Sequence, residues 1–293
     1  MRGTPATSEH IALKPSEELA PSDKAPSIEV EQQHAKNSLQ WRTMQRAFAI
    51  LPPLILGMIL LLAWYASAVY GHVSSVILPA PADVFSSLVD GIQSGLYWNN
   101  TLITIQESLL GFLLALAIAL PIGYGIAKSR FLANLLQPYL AAGQAVPAIV
   151  VSRFLFIWLG SGVLPVIVIC MLVVIFPLIV NTLFGVQSID HELLDAARLE
   201  GATGLSLLFY IEFPLALPAI LAAVRSGLTL SITGAIVGEF FCNPDKGLGA
   251  LVQIASSQYN MPFLFATILI LALLAAIYYS ATRLLVKVAK AIY

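Results

Sequence analysis

Charge is what this sequence lacks most. Only 11% of its 293 residues are Asp, Glu, Lys or Arg, against about 25% in a soluble domain. A chain so poor in charge cannot clothe a globular surface, and with 58% hydrophobic residues its long apolar runs must face lipid or one another. Neither sign of charge prevails: the formal net charge is −1 and the pI about 6.4, which leaves no basic field for nucleic acid. Cysteine is almost missing. Cys170 and Cys242 stand at no metal or redox spacing. His10, His34, His72 and His191 are scattered, so no metal site is expected. No nucleophile stands at workable spacing from a base, so no catalytic residue is assigned and a membrane-embedded enzyme is disfavoured. A phosphate-binding Gly-x-x-x-x-Gly-Lys-Ser/Thr loop is also wanting, because Gly201-Ala202-Thr203-Gly204 has neither the lysine nor the spacing. No apolar stretch follows the first basic residues, so the N-terminus does not read as a signal peptide.

What is present is an alternation of apolar spans and short polar loops. Residues 1–40, rich in Glu, Ser, Pro, Lys and Gln, read as a disordered tail that cannot bury enough apolar surface to offset its chain entropy. About six spans follow, near 48–70, 98–127, 132–157, 163–186, 216–241 and 262–285, each long enough to cross ~30 Å of hydrocarbon as a helix. The expected class is therefore an all-α membrane protein. The third and fourth spans are nearly continuous and are divided at Leu159-Gly160-Ser161-Gly162. Pro121, Pro138, Pro147, Pro165 and Pro177 fall inside spans, where each frees a carbonyl and bends a helix.

Basic residues choose the orientation. Arg42, Arg46, Lys128, Arg130, Arg198, Arg283, Lys287 and Lys290 flank one set of span ends, while the alternate loops hold only Lys246. The positive-inside rule then puts both termini and the loop 187–215 in the cytoplasm. Trp64, Tyr70, Tyr97 and Trp98 fall near the outer interface, where amphipathic aromatics settle. Outside, Leu78-Pro79-Ala80-Pro81 opens a segment with Val84, Leu88 and Ile92 at helical spacing, read as a short helix on the membrane surface. The loop 242–261, with Asn243-Pro244-Asp245-Lys246-Gly247-Leu248-Gly249, reads as turn-rich.

The loop 187–215 carries the most information. Asp190 is suited to cap a helix whose first turn holds Glu192 and which Gly201 ends. Ala196 and Ala197 leave its surface smooth. Two roles fit such an elbow: an ordinary connector packed on its own bundle, or a helix seated in a partner's groove and passing motion into the spans. The residues leave both open.

Asp195-Ala196-Ala197, three residues, Gly201, nine residues and Ile211-Glu212-Phe213-Pro214 resemble the cytoplasmic loop of ABC importer permeases. That family reads Glu-Ala-Ala, three residues, Gly, nine residues, Ile-x-Leu-Pro, so Asp195 and Phe213 are mild departures. The likeness extends from about Leu78 to Lys287 through Leu78-Pro79-x-Pro81, Gly111-Phe112, Pro147, Trp158-Leu159-Gly160, Phe176-Pro177, Arg225 with Gly227, Glu239 and Gly247-Leu248-Gly249. These are similar to the branch importing nitrate, sulfonate, taurine and bicarbonate. The resemblance implies a type I importer permease bundle: 98–287 as permease domain with its coupling loop at 187–215, and 41–97 as first span plus outer amphipathic segment. It implies Asp195, Ala196, Ala197, Gly201, Ile211 and Pro214 as the ATPase-coupling residues. It also implies a homodimer in the bacterial inner membrane, working with an ABC ATPase subunit that binds ATP and Mg and with an external or periplasmic solute-binding protein. No cofactor is expected on this chain.

Charge within a span needs a reason. Glu107 and Arg153 lie at similar depths and stand where the branch usually has Arg and Pro. They are expected to pair, or Arg153 to face the pore and attract an anion; Glu239, near the outer end of its span, is expected to bond backbone or line a gate. Arg225 is expected to snorkel to the interface. The rival function is an ion-coupled secondary transporter or channel, which would show inverted repeats or charged relays; neither is visible.

Overall fold

The computed structural model describes residues 52, 55–71 and 74–292. The expected tail 1–40, and Arg42 and Arg46, lie outside them. The chain divides into two units, residues 1–63 and 64–293. Every regular element among the described residues is helical. The first is α1 (Ile55–Tyr70). Then come α2 (Pro81–Gln93), α3 (Leu96–Ala127), α4 (Arg130–Ala145), α5 (Ala148–Leu159), α6 (Val163–Gln187) and α7 (His191–Leu199). The single-turn α8 (Gly204–Leu207) leads through a π-turn, Leu208–Glu212, into α9 (Phe213–Cys242), and α10 (Leu248–Ser257) and α11 (Met261–Ile292) complete the chain.

Four of these are long and apolar enough to cross a membrane, or five if the bent pair α4–α5 is one span. The described part of α1 is apolar but shorter. The expected third span is where the reading needs correction. It is not one rod: α4 and α5 meet at 87°. Val146 takes an extended conformation (ψ 121°) and Pro147 stands at the N-cap of α5, because the ring of a proline drives the preceding residue out of the α region. The other expected break holds. Gly160 and Gly162 take φ of +76° and +126° between α5 and α6, values that favour glycine.

The centre of the bundle is α3, α6 and α9. Ala115, Ala119, Val174 and Leu178 are fully buried there. Close approach depends on small residues, as in membrane helix pairs generally. A side chain at Gly234 would lie 2.9 Å from the Cα of Cys170, and one at Gly238 3.0 Å from the Cα of Val166. α11 packs across α2, α9 and α10, closing a second core around Tyr97, Leu248, Leu251 and Leu274. Tyr97 is thus a core residue, 3% exposed, with its hydroxyl 3.4 Å from that of Thr267, and not a member of an interfacial belt. Trp98 and Tyr70 are well exposed. Trp64 donates its indole N–H to the Pro79 carbonyl at 3.1 Å and stacks on Phe265.

Candidate functional site

The elbow forms at the end of the bundle where α3 finishes and α9 begins. Asp190 caps α7, its carboxylate accepting from the Glu192 N–H at 2.9 Å. Arg198 sits in the last turn, where a cation suits the helix dipole, and pairs with Asp195 at 2.8 Å. The helix ends as the sequence suggests: Gly201 takes φ +93°, and the N–H groups of Gly201 and Ala202 close on the carbonyls of Arg198 and Ala197. One face, Leu194 and Ala197, is buried with Ile189, Leu207, Ala216 and Ile220. Asp195, Ala196 and Gly201 stay exposed, Ile211 and Pro214 are half-buried, and Pro214 sits in the first turn of α9. Apolar residues of the elbow are left uncovered: Leu193 and Leu199, three residues either side of Ala196 on α7, and Leu205, Phe209 and Tyr210 further along are each more than half exposed.

A buried tie fastens the elbow to the bundle. Glu212, in the π-turn, is 1% exposed; it forms an ion pair with Lys128 just past α3 and accepts from the Tyr124 hydroxyl at 2.5 Å. Reading the sequence did not find this tie. The available signal was a lone acid among apolar residues between Tyr210 and Leu215. A cavity of about 450 Å³ opens alongside, lined by Lys128, Arg130, His191, Arg198 and Glu212 among others.

At the other end of α3 lies a second polar cluster. The first three N–H groups of the α10 region each meet a side chain from the bundle. Gly247 donates to Asn100 Oδ1 at 2.8 Å, Leu248 to Thr104 Oγ1 at 3.0 Å, and Gly249 to Glu239 Oε2 at 2.6 Å. A helix start leaves such donors without partners of its own, and α3 and α9 supply the acceptors. Gly247 has φ +101° and abuts the Glu239 carboxylate. The loop expected to be turn-rich therefore contains a helix docked in the core, and Glu239 accepts from the backbone of that helix. The expected ion pair of Glu107 with Arg153 does not form. Glu107 accepts from Asn243 at 3.1 Å, while the Arg153 guanidinium lies over the Phe241 ring at 4.4 Å. The reason is packing: α5 carries Arg153 onto α6 and α9, and the face of α3 that bears Glu107 meets α9. Arg225 likewise does not reach outward alone; it lies over the Tyr279 ring at 4.7 Å.

In the crook of the bent pair, α4, α5 and α6 enclose a cavity of about 460 Å³ lined by Gly143, Gln144, Val146, Ala148, Phe176 and neighbours, none of them charged.

Residues 108–290 match the family model described as "Binding-protein-dependent transport system inner membrane component". The chain belongs to that family. It is a permease of the ABC importer type, a membrane transport component of the inner membrane. Among its relatives is the riboflavin transport system permease protein RibX of Chloroflexus aurantiacus, 39% identical over 228 residues, covering 78% of this permease and 85% of the relative. The aliphatic sulfonates transport permease protein SsuC of Bacillus subtilis is 27% identical over 241 residues, 82% and 87% of the two chains. In structure, the permease is similar to a chain of the inward-facing MetNI methionine ABC transporter, with TM-score 0.58 and 19% identity over 70% of this chain and 96% of that one. The likeness fixes the fold as that of a type I importer permease. The matched region contains the elbow, the Glu212 tie and the docked α10; α2 and the first residues of α3 precede it.

Proposed function

We propose that this permease imports a small organic solute by alternating access, driven by a separate ABC ATPase subunit that docks on the elbow. The observation that carries the reading is the elbow itself: α7 packs on the bundle through Leu194 and Ala197, the π-turn after it is tied to the end of α3 by Glu212, and Leu193 and Leu199 are left uncovered three residues either side of Ala196. A surface so built suits a partner's groove and transmits displacement into α9 without absorbing it. In this reading 187–215 is the coupling loop of a permease domain spanning 98–287, with 41–97 as an accessory first span and outer segment. The elbow end, with both termini, faces the cytoplasm; the basic residues gathered there support it. ATP and Mg belong to the partner subunit. Two permease copies surround the pathway, and an external binding protein delivers the solute at the end bearing α2 and α10.

For the cargo we favour an uncharged heterocycle of the riboflavin kind. The relative at 39% identity carries that name, and the α4–α5 crook offers Gln144 and Phe176 with no cation for an anion to meet. The second reading is a small anion such as a sulfonate, taurine, nitrate or bicarbonate, suggested by the relative SsuC. Radiolabelled uptake by cells expressing the permease with its ATPase and binding protein separates them. Riboflavin uptake that needs all three supports the first reading; uptake of an aliphatic sulfonate but no flavin supports the second. Uptake of any cargo persisting without the ATPase would refute ATP-driven import.

A further inference from the structure

Glu107 of α3 and Glu239 of α9 are both fully buried and their carboxyls are in contact. Two ionised carboxylates in such a place would repel each other with no water to screen them. No cation answers them: the ion pairs among the described residues are Lys128–Glu212 and Arg198–Asp195. The groups around them are accounted for. α6 contributes the Cys170 thiol, α3 the Thr104 hydroxyl and the residue just past α9 the Asn243 amide, while Arg153 of α5 is stacked on Phe241 and Asp245 and Lys246 are exposed. Each carboxyl has one oxygen in use: Glu107 Oε1 accepts from Asn243 Nδ2 and Glu239 Oε2 accepts from the Gly249 N–H. The remaining two, Glu107 Oε2 and Glu239 Oε1, are buried without any partner.

We propose that Glu107 and Glu239 are a proton-binding site: they hold one proton between them, Glu107 Oε2 donating to Glu239 Oε1, and this shared proton latches α3 to α9 beneath the docked α10. One proton satisfies both orphan oxygens and removes one of the two charges. The charge that stays, on Glu239, faces the amino-terminal end of α10, where N–H dipoles stabilise an anion. The Glu107 carbonyl oxygen is left to accept from Asn243. The latch thus has a direction: the Gly249 N–H can only donate to Glu239, and the Asn243 amide turns its NH₂ toward Glu107.

That direction yields a test in three variants of the full-length permease in detergent. In E107Q the amide NH₂ replaces the acid O–H and donates to Glu239. In E239Q the amide donates to Glu107, now ionised, and still accepts from Gly249. In the double variant Gly249 holds the amide oxygen at position 239 outward, and with Asn243 in its present orientation the amide oxygen at position 107 is held outward too, so that two NH₂ groups face each other. The expected melting temperatures are within about 2 °C of wild type for each single variant and more than about 5 °C lower for the double. Infrared spectra should show a protonated carboxylic C=O band in wild type that disappears in either single variant. Wild type lacking that band, or single variants as unstable as the double, would overturn the proposal. So would a wild-type melting temperature raised by added Na⁺ or Ca²⁺ and insensitive to them in E107Q, which would make the pair a metal site.

Discussion

Replacing Lys128 by alanine takes the cation from a carboxylate that has almost no water. Glu212 is 1% exposed and Lys128 39%. Removing one partner of a fully buried pair costs about 3–5 kcal/mol, and an exposed pair is worth ~0–1 kcal/mol. This pair lies between, because its lysine reaches the boundary, and the Tyr124 hydroxyl continues to donate to Glu212 when the lysine is gone. We therefore expect K128A to destabilise by about 2 kcal/mol, and Y124F by about 1.5 kcal/mol through loss of a hydrogen bond to a charged acceptor. The informative quantity is the coupling in the cycle K128A, E212Q and K128A/E212Q. E212Q removes the charge but keeps an acceptor for Tyr124, so the double variant buries no unanswered ion, and the two effects should fall short of additivity by at least ~1 kcal/mol. Denaturant unfolding of the purified permease, followed by circular dichroism, measures it. A coupling within about 0.3 kcal/mol of zero would refute the claim that this pair holds the elbow to α3.

Gly201→Val should leave a folded, inserted protein, since nothing stands within 4 Å of a side chain there; the cost is backbone strain of roughly 1–2 kcal/mol at a left-handed position. Uptake should fall sharply while the ATPase subunit still co-purifies, and wild-type uptake in that variant would count against coupling through α7. Arg153→Ala should transport normally in the uptake assay, because the guanidinium is spent on Phe241 and pairs with no carboxylate; loss of uptake with an unchanged melting temperature would restore a role for Arg153 in the pathway.

Local features of the fold were legible in the sequence because local chemistry decides them. Asp190 and Gly201 mark the two ends of α7, Gly160 and Gly162 mark the break before α6, and Pro79–Pro81 mark the entry to α2, each through a side chain or φ preference needing no distant partner. Pro147 announced a bend, but its size came from Val146 turning extended. Helix α10 escaped notice because ten residues of a loop cannot register as a span, although Leu248, Leu251 and Ala255 already repeat at helical spacing. The candidate site was half legible. Motif spacing located the elbow, while the Glu212 tie joins positions 84 apart and needed coordinates. Glu107 was misassigned for a related reason: depth in the membrane matched it to Arg153, but depth says nothing about which face of α3 turns to which neighbour. The structure turns it to α9, where Glu239 and Asn243 wait.

In the proposed mechanism α7 is the surface that the ATPase subunit grips. Ala196 tests this alone, since it is exposed on α7 and takes no part in the buried face formed by Leu194 and Ala197. The affinity of the purified A196R permease for its ATPase subunit, measured beside its melting temperature, should be lost with the melting temperature unchanged. Wild-type affinity and full uptake in A196R would contradict the account.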